Sequence, residues 1–156
     1  MRAGRLIIFV GALWLSGAAV AALTPAASVS SSPSRAGARA VVLTLRLHYE
    51  MQCGYPGQGP VVIGFPAQMR LPRTLHASSV LVNGKPTSRV EISRNQVSVP
   101  LPRRSDILCD VLAPGTLTIV FNRSASLGNP SRAGRYLVTA RRGSLRFLAR
   151  LVITST

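Results

Sequence analysis

Acidic residues are nearly missing from this chain. Four Asp and Glu stand against 19 Lys and Arg in 156 residues, a formal net charge of +15. The acids are Glu50, Glu91, Asp106 and Asp110, and His48 and His76 are the only histidines. Catalysis needs positioned acids, bases or nucleophiles, and this inventory leaves little to build it from. Glu91 alternates with Val90 and Ile92 and reads as an outward strand residue. Asp106 and Asp110 flank Cys109, where pairing with nearby arginine is a simpler reading than a carboxylate dyad. No serine lies in a Gly-x-Ser-x-Gly elbow. No phosphate loop, zinc motif or dinucleotide fingerprint occurs. The chain reads as non-enzymatic, and no cofactor is expected.

Lysine is also missing, apart from Lys85, so the positive charge is arginine charge. The arginines are scattered singly, and only Arg103-Arg104 and Arg141-Arg142 are adjacent. Aromatic residues make up 5% of the chain and do not interleave with the basic ones, as they do in single-strand nucleic-acid binders. Specific nucleic-acid binding is therefore not expected. A weak association with anionic cell-envelope polymers is expected, and it should fade with salt.

Helical periodicity is absent as well, and short period-two runs take its place. Val41, Leu43, Leu45, Leu47 and Tyr49 alternate with Val42, Thr44, Arg46 and His48, which predicts a first strand. Val61, Ile63 and Phe65 predict a second, stopped by Pro66. Ser79 to Val82 form a third, followed by Asn83-Gly84, a strong hairpin signal because both residues accept positive φ. The return strand is expected from about Ser88, carrying Val90 and Ile92 inward. Further strands are expected at Val97–Val99, Thr116–Phe121, around Tyr136, Val138 and Ala140, and at Leu145–Thr154. Thr74 to Ser78 leaves room for one helical turn. About eight strands with turn signals between them indicate an all-β fold, a single antiparallel β-sandwich or barrel. The predicted core is Leu45, Ile63, Val82, Ile92, Val99, Ile119, Phe121, Tyr136 and Val138.

The chain divides into three parts. Residues 1–23 carry Arg2 and Arg5, an uncharged run from Leu6 to Leu23 and a small-x-small site at Ala19-Val20-Ala21, the pattern of a signal peptide. Left uncut, that segment would be the only expected membrane contact. Residues 24–39 are rich in Ala, Ser and Pro and read as a flexible linker. Residues 40–156 form the sandwich domain. The setting is secreted or extracytoplasmic, where Cys53 and Cys109 are expected to form a disulfide. His48, Met51 and Cys53 form the alternative, a weak soft-ligand set suited to copper. Arg103 and Arg104 lie in a Pro- and Asp-bearing loop that could present a basic residue to a trypsin-like protease.

Several turns stand in one order. Val80-Leu81-Val82-Asn83-Gly84 comes first, then VSVPLP from Val97, LTIVF from Leu117, and LGNPSRAGRYLV from Leu127. Over roughly Val61 to Thr139 this resembles the Ig-like β-sandwich domains of uncharacterised secreted proteins of Gram-positive bacteria. Those carry a Val-x-Val-Asn-Gly hairpin and an Asn-Pro-x-x-Ala-Gly-x-Tyr turn. The resemblance implies an extracellular or cell-wall setting and no known catalytic residues. The function expected is a secreted non-enzymatic β-sandwich module with a binding or structural role at the cell envelope. A small secreted protease inhibitor and an extracytoplasmic copper-binding protein are the alternatives.

Overall fold

The structure, a computed structural model, describes residues 26–49, 59–101 and 115–155. The signal segment, Met51, Cys53, Arg103, Arg104 and Cys109 lie outside the described residues, and so does the predicted disulfide. Among the described residues ten strands form two five-stranded antiparallel sheets packed as a sandwich. One sheet has the order β1 (Ala27–Ser32), β2 (Val42–Tyr49), β8 (Gly115–Phe121), β4 (Val80–Val82), β5 (Lys85–Pro86). The other runs β10 (Leu145–Ile153), β9 (Gly134–Arg142), β3 (Val61–Gly64), β7 (Gln96–Val99), β6 (Glu91–Ser93).

The period-two patterns set the inward faces. Leu43, Leu45 and Leu47 of β2 lie opposite Phe121, Ile119 and Leu117 of β8, and all six are buried. Ile63 and Val61 of β3 meet Val97 and Val99 of β7 in the facing sheet. Of the nine predicted core residues, seven are buried, while Ile92 and Tyr136 are only partly covered. Ile92 sits on β6, the last strand of its sheet, with β7 on one side only. Tyr136 keeps its ring at the rim because its hydroxyl donates to the Arg132 carbonyl at 2.9 Å. This bond ties the start of β9 to the turn before it. Gly134, at φ 156°, places its backbone against that ring. Tyr136→Phe is expected to cost about 0.5–1 kcal/mol, the net worth of one exposed hydrogen bond, read as a small fall in the denaturation midpoint at unchanged slope.

Two strands were not expected. Lys85-Pro86 itself forms the return strand β5, pairing Val82 with Lys85 and Leu81 with Pro86 directly after the Asn83-Gly84 turn. Both turn residues have positive φ, 48° and 79°. Pro86 is tolerated there because β5 is an edge strand, where a missing donor breaks no ladder. A single 3₁₀ turn at Ala77–Ser79 stands in place of the helical turn expected slightly earlier.

The other unexpected strand corrects the linker reading. Ala27–Ser32, inside the segment read as flexible, pairs in register with Val42–Leu47 as β1. Its Ser-rich composition hid an alternation in which Ala27 and Val29 lean toward the core. The chain beyond it is held by Asn129. That side chain is fully buried, donates through Nδ2 to the Pro33 and Arg35 carbonyls (2.8 and 2.9 Å), and accepts from Ser31 Oγ at 2.8 Å. The backbone of Leu127–Pro130 adds bonds to Val41, Ala38 and Gly37. Gly128 lies in this loop. It is bridged on both sides, to Arg39 and Arg70, and a Cβ there would come within 3.2 Å of the Arg70 Cβ. Its lack of a side chain lets three chain segments lie together.

Candidate interaction surface

The two outer faces of the sandwich differ sharply. On the β1–β2–β8 sheet the outward residues are mostly hydroxyls: Ser28, Ser30, Thr44, Thr116 and Thr118. His48 also points outward here, as its alternation with Leu47 predicts. It stands 3.0 Å from Thr116 Oγ1 and is exposed. Of the soft-ligand set His48 alone is described, and among the described residues no three His, Cys, Asp or Glu side chains come together. His76 is exposed at the entry to the 3₁₀ turn, where its carbonyl accepts from Ser79. Glu91, the one described acid, forms an exposed ion pair with Arg89 at the far edge of the second sheet.

The β9–β10 face has another character. Its outward residues are Arg135, Leu137, Thr139 and Arg141 on β9, and Arg146, Leu148, Arg150 and Val152 on β10. The antiparallel register sets Arg141 opposite Arg146, Leu148 opposite Thr139, Arg150 opposite Leu137 and Val152 opposite Arg135. Leu137, Leu148 and Val152 are 52–53% exposed, and they are the three large hydrophobic residues most open to solvent among the described residues. The four arginines have no ion-pair partner among the described residues. Like charges directly opposite each other destabilise a sheet, so the Arg141–Arg146 pair is not explained by folding stability.

Next to that pair the surface is concave. Val62, Gly64, Gln96, Thr139, Arg141 and Arg146 line a depression of about 280 Å³. Gly64 keeps it open, since a Cβ at that position would overlap Thr139 Oγ1. Sequence reading missed this site because its arginines are spaced four to six residues apart along the chain. The available signal was the alternation itself, R-x-L-x-T-x-R followed by R-x-L-x-R-x-V across a tight turn. In a two-residue hairpin such a pattern stacks all eight side chains on one face.

Comparison with known proteins adds the fold. No family model matches the chain, and no curated protein matches it. A crystal structure described as BslA, a bacterial hydrophobin, superposes with a TM-score of 0.54 over 85% of this chain and 99% of that one. The two sequences are 14% identical, so the likeness is one of fold. Among the described residues no helix is long and apolar enough to cross a membrane.

Proposed function

We propose that this chain is a secreted, non-enzymatic β-sandwich module with a structural or binding role at the cell envelope, and that it works at an interface. The observation that carries the reading is the β9–β10 face, where three exposed aliphatic side chains sit on one hairpin among four arginines with no ion-pair partner among the described residues. Exposed apolar groups gathered on one face mark an interaction surface. The fold shared with a protein described as a bacterial hydrophobin supports it. The described acid–base groups also favour a non-enzymatic role. His48 faces out from one sheet, and Glu91 is paired with Arg89 on the edge of the other.

The test is dynamic surface tension at an air–water boundary. The wild-type chain should lower it, and the L137S/L148S/V152S variant should do so markedly more slowly at equal concentration. Equal rates for the two proteins, both folded by circular dichroism, would remove the β9–β10 face from any interfacial role.

A further inference from the structure

We infer that the β9–β10 outer face docks on the surface of an anionic phospholipid bilayer, with Arg141 and Arg146 receiving a lipid phosphate beside the Gly64 depression. The inference rests on the interfacial reading above and names the partner of that same face. Its first ground is charge. Arg135, Arg141, Arg146 and Arg150 share one face, no acid stands on β9, β10 or β3, and Glu91 lies at the opposite edge strand. An anionic partner would relieve the repulsion between Arg141 and Arg146, which face each other across the hairpin. Two guanidinium forks at the rim of one depression suit a phosphate, which takes paired N–H donors.

The second ground separates a bilayer from a soluble polyanion. A polyphosphate or acidic polysaccharide chain would satisfy the arginines and leave Leu137, Leu148 and Val152 in water. A bilayer surface offers phosphates and apolar depth side by side. Arginine suits that boundary because its methylene stem can lie along apolar material while the head stays at the phosphate level. The aliphatic residues sit between the arginines on the same strands, so both contacts can form at once on one plane. Thr139, at the centre of the hairpin, and Gly64 beside it add no bulk that would hold a flat surface away.

The experiment is flotation of the full chain with vesicles of phosphatidylcholine alone and of an equimolar phosphatidylcholine–phosphatidylglycerol mixture. Each arginine near an anionic surface is worth about fivefold in partitioning. R135Q/R141Q/R146Q/R150Q should therefore lose about a hundredfold or more of its preference for the anionic vesicles. A matched variant on other exposed surface, R73Q/R94Q/R123Q/R132Q, should lose far less. L137S/L148S/V152S should weaken binding to anionic vesicles about tenfold. All variants share one N-terminal segment, so their differences report the faces.

Equal losses in the two arginine variants would overturn the assignment to this face. If L137S/L148S/V152S bound anionic vesicles like the wild type, and soluble polyphosphate displaced both, the face would read charge alone and the bilayer assignment would fall. Retained surface activity without preference for anionic vesicles would defeat this inference and leave the interfacial reading standing.

Discussion

Phe121→Ala is expected to destabilise the fold by about 3–5 kcal/mol, the range for emptying an aromatic site in a packed core. Phe121 is fully buried, lies between Leu43 of β2 and Val80 of β4, and meets Phe65 edge-on at 5.7 Å with the rings 77° apart. Phe65 follows β3, so this contact joins the two sheets. Edge-to-face pairs contribute about 0.5–1.5 kcal/mol beyond their buried area. Chemical denaturation should show a lower midpoint with an unchanged slope. Phe121→Leu keeps most of the volume and should cost less. A loss under about 1 kcal/mol for the alanine variant would mean that the two sheets can close over the gap.

Asn129→Leu is expected to cost about 2–4 kcal/mol, because it removes three side-chain hydrogen bonds from a buried site while keeping its bulk. The Arg35 carbonyl loses its donor, the Pro33 carbonyl keeps only Ser31 Oγ, and Ser31 Oγ loses the Asn129 acceptor. The damage should be local. Hydrogen exchange should accelerate at the Ala36 and Gly37 amides, which donate to Thr154 and Pro130, while the β2–β8 ladder stays protected. Asn129→Asp should be no better. A carboxylate keeps the acceptor but turns two donations into contacts between oxygens. If exchange at Ala36 and Gly37 matched the wild type, another group would have to hold that segment.

Most of the core could be read from the sequence because alternation is a local property. Leu43, Leu45 and Leu47 announce their face without knowledge of their partners, and so do Leu117, Ile119 and Phe121. The Asn83-Gly84 turn was equally legible, since its two positive φ angles need those residue types. Two kinds of feature were not legible. β1 is mostly serine, with Val29 its one strong strand former, and it gains order from pairing with β2 and from Asn129, 94 to 98 residues further along the chain. Asn129-Pro130 reads as a turn on local grounds, and nothing local says that the amide is a buried anchor. The basic, aliphatic face was hidden for a related reason. Its arginines are four to six residues apart and look dispersed until the hairpin register of β9 and β10 places them together.

The way the N-terminal segment is held also fixes the order in which the fold can be completed. Ser34 and Ala36 bond to Thr154, at the end of β10, and Ser31 bonds to Asn129. These contacts join segments about a hundred residues apart, and loop closure over such separations is slow. The stretch from Ala27 to Ala38 can find β2 early, but it cannot lock until the last strand is in place. Until then that segment is held only by its pairing with β2. The last strand therefore does two things at once, covering β9 and closing the N-terminal segment at Ser34 and Ala36. A chain cut short before Thr154 would lose the backbone bonds that hold Ser34 and Ala36.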